Sequence, residues 1–160
     1  GFSAKTSDDL GTVDVDDASA MMFRFRDINA LGYIEATRYG AGHRNQNRIE
    51  VNGSRGSIIF DMEQMNELSF YTTDDPATLQ GYRRIQVGEA SHPYTANWWP
   101  AGHIIGFGDT FVNEAYDFVN AILAGRQIAP DFMDGLKCQL VLDAADRSAK
   151  SGAWVKVEEK

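Results

Sequence analysis

The first half of the chain alternates between polar and apolar positions, with the period of two that is typical of strands with one buried face. The alternation is clearest in Arg48–Asn52, which is followed by Gly53-Ser54-Arg55-Gly56 and by the apolar run Ser57–Phe60. We expect a β-hairpin here, with the two glycines supplying positive φ at the turn. Such a pattern is typical of any hairpin in an antiparallel sheet, so it indicates architecture and not chemistry.

Strand-like alternation recurs before and after this hairpin, in the segments Ala18–Arg26, Leu31–Tyr39, Glu67–Thr72 and Tyr82–Val87. No helical pattern separates these segments, so we expect them to pair as antiparallel neighbours. Residues 1–17 are polar and acidic and contribute few core residues, so we expect a flexible acidic leader.

The hydrophobic period changes from two to 3.6 after residue 108, which predicts two amphipathic helices. The first runs from the capping residues Asp109 and Thr110 to Gly125, and the second covers Asp131–Ser151. Burying a large side chain contributes about 1.5–3 kcal/mol, and ordering a residue costs about 1–2 kcal/mol, so we expect the first helix to be unstable alone and to lie on the sheet. The stripes that we expect to be buried are Phe111, Ala115, Phe118, Val119, Ile122 and Leu123, and then Phe132, Leu136, Leu140, Val141, Ala144 and Ala145.

This order of elements predicts an α+β domain over residues 18–160, closed by a last strand at Trp154–Val157. We expect an open, mainly antiparallel sheet with both long helices packed on one face. The other face is then available for dimerisation, and it includes several tyrosines. The candidates are Tyr33, Tyr39, Tyr71 and Tyr82.

The composition is that of a globular chain, with 160 residues, 43% hydrophobic and 24% charged. A net charge of −8 argues against a nucleic-acid-binding surface, which needs a basic stripe. No apolar run reaches the 18 or so residues of a membrane helix. The single cysteine, Cys138, fits a reducing compartment, so we expect a cytoplasmic protein in which Cys138 is a small core residue.

Two polar or aromatic clusters have side chains suited to a ligand. The segment His43–Arg48 offers oriented Arg and Asn donors, and the loop Trp98–His103 offers indole faces that suit sugar rings. The first pattern is also typical of a solvated loop, and the tryptophans of the second are also typical of core residues that anchor a loop. The surrounding irregular stretch, residues 88–108, has the length of a functional loop.

The residues do not form a recognisable catalytic or metal motif. The three histidines lack metal-ligand spacing, and one cysteine cannot build a zinc site. Gly106-Phe107-Gly108 precedes a helix, but it lacks the third glycine of a dinucleotide fingerprint and is followed by Asp109, which would repel a pyrophosphate. From the residues alone we therefore expect a binding or assembly domain without a metal site or a complete active site.

Five short segments in order resemble the C-terminal domain of the Gfo/Idh/MocA oxidoreductases, the glucose–fructose oxidoreductase and inositol dehydrogenase family. Each motif is weak alone, but the series covers nearly the whole chain from about Gly11 onward. The matching segments are Val13–Ala18, Asn47–Ser57, Gly102-His103 followed by Phe111–Glu114, Pro130–Leu136 and Leu142–Ser148.

The resemblance implies a glyceraldehyde-3-phosphate-dehydrogenase-like C-terminal domain whose antiparallel sheet lines the substrate pocket and pairs subunits into a dimer or tetramer. It also implies an N-terminal Rossmann domain that binds NAD or NADP, and a substrate that is a sugar, polyol or derivative. The nucleotide fold, the lysine of the EKP motif and the Asp and His of the GGGxxxDxGxH motif would lie before Gly1. No catalytic residue can therefore be assigned in this chain.

We therefore expect the substrate-binding and dimerisation domain of an NAD(P)-dependent dehydrogenase, inactive and without bound cofactor when alone. The residues expected nearest the substrate are Arg44, Asn45, Asn47, Trp98 and His103. The alternative is a stand-alone carbohydrate-binding or protein-interaction module without redox activity.

Overall fold

The structure is a computed structural model that describes residues 15–158, so most of the predicted acidic leader lies outside the described residues. The elements are β1 (Ala18–Phe25), β2 (Ala30–Thr37), β3 (Arg48–Asn52), β4 (Gly56–Asp61), β5 (Glu67–Thr72), β6 (Arg83–Gln86), α1 (Phe107–Leu123) and α2 (Phe132–Ser151). The chain divides into two compact units: the described residues up to His43 with those from Pro130 onward, and Arg44–Ala129.

In the first unit, β1 and β2 form an antiparallel hairpin in which Phe23 lies directly opposite Gly32. The Phe23 ring fills the space above this glycine, because a Cβ at position 32 would lie 2.2 Å from the ring. Phe25 contacts Phe23 edge to face, with ring centroids 5.2 Å apart. The aromatic pair therefore covers a glycine that would otherwise leave the hairpin without side-chain packing at this point.

Helix α2 of the same unit is capped at both ends. The Asp131 carboxylate accepts hydrogen bonds from the backbone N–H groups of Met133 and Asp134, at 2.7 and 3.2 Å. In return, the Asp134 carboxylate accepts from the Asp131 N–H, which lowers the pKa of Asp134 together with a bond from Lys137. The helix ends at Gly152, in the left-handed conformation with a φ of 64°. Both ends agree with the predicted helix to within one residue.

The segment after α2 is not the predicted strand Trp154–Val157, because residues 154–158 have no regular secondary structure. Side chains of α2 hold this tail instead: the Ser148 hydroxyl donates to the Ala153 carbonyl at 2.7 Å, and Arg147 contacts Lys156 and Glu158. An alternating pattern indicates a strand only where a sheet edge is available to pair with it. Cys138 is exposed, so its predicted place in the core is wrong: it lies on a side of α2 that the described residues leave uncovered.

The second unit contains a four-stranded antiparallel sheet in the order β3-β4-β5-β6. Residues directly opposite each other in such a sheet share a face. Ile49, Phe60, Leu68 and Ile85 are aligned in this way and make one face apolar, whereas the neighbouring row, Glu50, Ile59, Ser69 and Arg84, belongs to a more polar face. The predicted antiparallel pairing and α+β class are therefore confirmed, and the packing of both helices on one sheet face stays a prediction.

The turn between β3 and β4 needs glycine for a reason other than the predicted one. Neither Gly53 nor Gly56 is among the residues with positive φ. Instead, a Cβ on Gly56 would lie 2.5 Å from the Tyr71 carbonyl oxygen of the neighbouring strand. The carbonyl of Arg55, the residue before Gly56, accepts a hydrogen bond from the Thr73 N–H at 3.0 Å. The β3–β4 turn therefore lies close to the turn that follows β5. Close backbone approach is thus what Gly56 permits.

Helix α1 begins at Phe107, two residues before the predicted capping pair, and its N-cap is Gly106. Asp109 still contributes to the cap, because its carboxylate accepts the Gly106 N–H at 2.8 Å from within the first turn. The C-terminal end closes at Gly125, which has a φ of 59°, with the Arg126 N–H donating to the Ala121 carbonyl at 3.1 Å. These are the bonds of a Schellman motif, as the glycine predicts.

The apolar stripe of α1 is exposed, contrary to the prediction that it is buried. Phe118 and Ile122 are 60% and 61% exposed. The covered positions are instead Asn120, Ala121 and a polar row, Asp109, Asn113 and Asp117, whose members lie four residues apart and which we call the polar stripe of α1. Among the described residues, Ala121, Ala144 and Thr95 are buried.

Neither helix in the described part of the chain combines the length and apolar character that a membrane-spanning helix needs.

We predict that Gly56→Ala destabilises the protein by about 1–3 kcal/mol, because the added methyl group must displace backbone and not a flexible side chain. Gly53→Ala is the matched control, since its nearest contact would lie at an ordinary 3.5 Å. The urea unfolding midpoints of the two variants measure the difference. Equal midpoints would contradict the steric explanation for Gly56.

Candidate functional site

The irregular segment 88–106 is held by polar contacts that replace the ladder of a sheet. The buried Thr95 hydroxyl lies within hydrogen-bond distance of the carbonyl oxygens of Glu89 and His92. The His92 ring accepts hydrogen bonds at Nδ1 from the backbone N–H groups of Gly88 and Glu89, at 3.3 and 3.2 Å. An acceptor at Nδ1 places the ring proton on Nε2. These contacts fix the backbone conformation of residues 88–95, the first half of the segment.

The polar stripe of α1 binds the middle of the same segment. The indole N–H of Trp98 donates to the Asn113 side-chain oxygen at 3.1 Å, and the Tyr94 hydroxyl donates to the Asp117 carboxylate at 2.5 Å. Tyr94 adopts a left-handed backbone conformation with a φ of 65°, which costs energy in a non-glycine residue. The helix therefore packs its polar side chains against the segment and fixes two aromatic rings.

Asn66, in the turn before β5, holds the end of the segment. Its side-chain amide donates to the Ile105 carbonyl at 2.7 Å and accepts from the Ile105 N–H at 2.8 Å. Both bonds are partly buried, and together they imitate the pairing of one strand residue with another. The amide thereby joins the four-stranded sheet to the residue that directly precedes the N-cap of α1.

These contacts surround a cavity of about 180 Å³, lined by Trp98, Trp99, His103, Ile104, Ile105 and Asp109. Trp98 is anchored by its indole N–H, but Trp99 is 75% exposed, and its ring centroid lies 6.2 Å from that of His103. The His103 Nδ1 atom lies 2.7 Å from the Pro100 carbonyl oxygen. A carbonyl only accepts, so Nδ1 carries the proton and Nε2 can accept a hydrogen bond from a ligand hydroxyl.

A larger cavity of about 370 Å³ lies beyond the C-terminal end of α1, lined by Asp117, Arg126, Gln127, Ile128 and Ala129. Its lining contains no aromatic ring, and we do not favour it as a sugar site. The smaller cavity combines an exposed indole, a histidine acceptor and a carboxylate, which are the groups that commonly bind a polyhydroxylated ring.

The predicted contact residues Arg44, Asn45 and Asn47 lie against the turn that follows β4. The Arg44 N–H donates to the Glu63 carboxylate at 2.6 Å, and the amide nitrogens of Asn45 and Asn47 lie 3.8 and 3.7 Å from the Met62 sulfur. Sulfur is a weak acceptor, so these two amides keep most of their capacity to bind another group. None of the three residues lines the cavity, so the structure brings together Trp98 and His103 but not the whole predicted set.

Sequence reasoning missed Asn66 and the polar stripe of α1, and it included Trp99 only as part of the Trp98–His103 cluster. The signal for the stripe is present in the chain, since Asp109, Asn113 and Asp117 recur at i, i+4 and i+8 on one helical face. The apolar residues of the helix predict the opposite side as the buried one, which is why the pattern does not single out this face. Asn66 has no such signal, because its partner Ile105 is 39 residues away.

The hydrogen bond between Tyr94 and Asp117 also changes an ionisation equilibrium. It raises the pKa of the Tyr94 phenol above its ordinary value, because ionisation would remove the donated proton. Partial desolvation and the negative charge of Asp117 act in the same direction. The bond therefore contributes to stability at neutral pH, and this contribution is lost as the pH rises through the raised pKa of Tyr94.

The start of α1 does not fit a dinucleotide pyrophosphate. The Gly106 N–H already donates to Asp109, and the carboxylate of Asp109 would repel an anion at this position. Within residues 15–158, His, Cys, Asp and Glu side chains do not form a group of three or more that could hold a metal ion.

Comparison with known proteins identifies relatives over nearly the whole chain. Residues 3–157 match the family model described as the oxidoreductase family, C-terminal alpha/beta domain. The levoglucosan dehydrogenase of Pseudarthrobacter phenanthrenivorans is 40% identical over 148 residues, which are 92% of this chain and 37% of that protein. The chain therefore spans little more than a third of the length of this relative.

Solved structures show the same similarity. A crystal structure of an oxidoreductase domain protein from Kribbella flavida matches with a TM-score of 0.89 and 45% identity, over 93% of this chain and 38% of that one. A levoglucosan dehydrogenase in complex with NADH and levoglucosan matches with a TM-score of 0.88 and 39% identity, over 94% of this chain and 41% of that one. Shared fold and sequence identity of this size indicate common ancestry.

We predict that Asp117→Asn lowers the pKa of Tyr94 toward its ordinary value, because a neutral amide accepts a weaker hydrogen bond from the phenol and carries no charge that opposes ionisation. The measurement is the difference between the ultraviolet titrations of the parent protein and its Tyr94→Phe variant, repeated in the Asp117→Asn background. Asp143→Asn, at a carboxylate that contacts Arg147 and not Tyr94, is the control. A Tyr94 titration that Asp117→Asn leaves unchanged would contradict the assignment.

Proposed function

The chain belongs to the Gfo/Idh/MocA oxidoreductase family, and from that membership we propose that it is the substrate-binding and subunit-pairing domain of an NAD(P)-dependent dehydrogenase. The reaction is hydride transfer between the nicotinamide cofactor and a CH–OH carbon of a sugar, polyol or derivative. The matched description as the C-terminal domain of an oxidoreductase supports this proposal. So does the 39% identical dehydrogenase that was crystallised with NADH and levoglucosan.

The observation that carries the proposal is the cavity next to Trp99 and His103. An exposed indole offers a flat, apolar surface to the C–H groups of a sugar ring, and the neighbouring imidazole Nε2 offers an acceptor to a hydroxyl. Asp109 adds a second acceptor at the edge of the same cavity. The arrangement suits an uncharged, polyhydroxylated ligand.

The proposed contact residues have different roles. His103 and Trp99 touch the sugar, whereas Trp98 supports the wall of the cavity through its bond to Asn113. Arg44, Asn45 and Asn47 do not line this cavity, and in this proposal their donors bind a part of the substrate that extends beyond it. These side chains bind and orient the substrate, and the reacting proton is handled by residues outside this chain.

The cofactor, NAD or NADP, is bound by polypeptide outside this chain, since the glycine-containing start of α1 does not fit a pyrophosphate. When bound, it supplies the hydride acceptor or donor. In this proposal the chain alone binds no cofactor and catalyses no turnover. It acts in the cytoplasm.

The protein pairs with itself as a dimer or tetramer through the open sheet face. Tyr71 of β5 and Tyr82, which directly precedes β6, have ring centroids 6.1 Å apart and provide aromatic surface at the four-stranded sheet. Aromatic side chains of this kind are enriched at subunit interfaces. We also propose that residues 18–160 form a single domain that binds the substrate and pairs the subunits.

We predict that the full-length gene product reduces NAD or NADP when given a sugar from a panel that includes levoglucosan, L-sorbose and inositol. The change in absorbance at 340 nm measures the reaction, and the isolated 160-residue chain should give none. Turnover by the isolated chain, or a full-length protein that binds sugar without reducing either nucleotide, would contradict the proposal. The second result would favour a carbohydrate-binding module.

We predict that Trp99→Ala in the full-length enzyme raises the KM for the sugar by roughly two- to tenfold, because a stacked aromatic ring contributes about 0.5–1.5 kcal/mol. Trp154→Ala is the matched control, since Trp154 is also exposed but belongs to the other unit. Initial rates over a range of sugar concentrations measure both variants. Equal effects of the two substitutions would contradict a sugar contact at Trp99.

A further inference from the structure

We propose that Asn66 is a positioning residue that sets the sugar affinity of the enzyme through Ile105, without touching the sugar itself. The proposal rests on the proposed function of the Trp99 and His103 cavity. Asn66 does not line that cavity, but Ile105, its hydrogen-bond partner, does.

The geometry makes this connection specific. Both bonds of the Asn66 amide go to the same residue, one from its carboxamide nitrogen to the Ile105 carbonyl and one to its carboxamide oxygen from the Ile105 N–H. Donor and acceptor must both be correctly oriented, so only a carboxamide of this length satisfies the pair. Aspartate retains the acceptor and loses the donor, and alanine loses both.

The position of Ile105 in the chain explains why a displacement of its backbone would move the groups that bind the sugar. His103 lies two residues before it, and the Gly106 N-cap of α1 directly follows it. Asp109, which closes that cap, is itself a cavity residue. Fixing the backbone at residue 105 therefore fixes both the histidine and the carboxylate that face the cavity.

The other anchors of the segment act elsewhere. Thr95 and His92 order residues 88–95, and Trp98 is bound through Asn113. Residues 99–104 thus lie between two anchored points, Trp98 and Ile105. Removing the Asn66 bonds would release the Ile105 end, which is next to His103, and would leave the Trp98 end anchored through Asn113.

The test uses the full-length enzyme with levoglucosan as the probe substrate, or with the best substrate of the sugar panel. We expect Asn66→Ala to raise the KM for the sugar roughly tenfold, because small misplacements of binding groups are costly. The KM for the nucleotide should stay unchanged. Asn66→Asp should give an intermediate value, since it keeps the bond to the Ile105 N–H.

Asn120→Ala is the matched control, because it also removes a side-chain bond to a backbone carbonyl, that of Tyr116, but within α1 itself. It should leave both KM values unchanged. Hydrogen exchange at the Ile105 amide, measured without substrate, should accelerate in Asn66→Ala and not in Asn120→Ala.

The outcomes separate the two proposals. A full-length protein without NAD(P)-linked sugar turnover would overturn the proposed function and the role of Asn66 with it. An active enzyme in which Asn66→Ala leaves the sugar KM unchanged, or raises the sugar and nucleotide KM values together, would overturn the positioning role alone. A lowered melting temperature with unchanged KM values would also overturn it.

Discussion

The site depends on how residues 88–106, which form no strand ladder, satisfy their backbone polar groups. A segment of this length holds one conformation only if side chains replace the missing ladder. The Asn66 amide does so at one end, and Thr95 and His92 do so at the other. Between them the polar stripe of α1 binds Trp98 and Tyr94. Trp98 and Tyr94 therefore have defined positions although they belong to an irregular segment.

The same contacts determine which way α1 faces. Because its polar stripe binds the segment, its apolar residues, among them Phe118 and Ile122, point away from it and are exposed. Exposed apolar surface of this kind usually marks a face that another surface covers. This agrees with a chain that spans only 37% of the length of the dehydrogenase it resembles. The helix thus has two distinct faces, a polar one that binds the segment and an apolar one that is exposed.

Strand and helix positions followed closely from the sequence, because alternation and 3.6-residue periodicity are local properties. β5 lies where the pattern places it, and α2 begins one residue later, after its Asp131 cap. The prediction failed where the outcome depends on distant partners. Trp154–Val157 alternates correctly but pairs with no strand, and the Asn66 bonds to Ile105 join residues 39 positions apart. Of the predicted site residues, Trp98 and His103 share the cavity lining, whereas Arg44, Asn45 and Asn47 do not.

A crystal structure of the full-length protein with NADH and a bound sugar would show whether residues 98–105 form a wall of the sugar site. We expect a sugar ring in van der Waals contact with the Trp99 indole and a sugar hydroxyl that donates to the His103 Nε2. A sugar bound next to the nicotinamide with no atom in contact with any residue from 98 to 105 would contradict it.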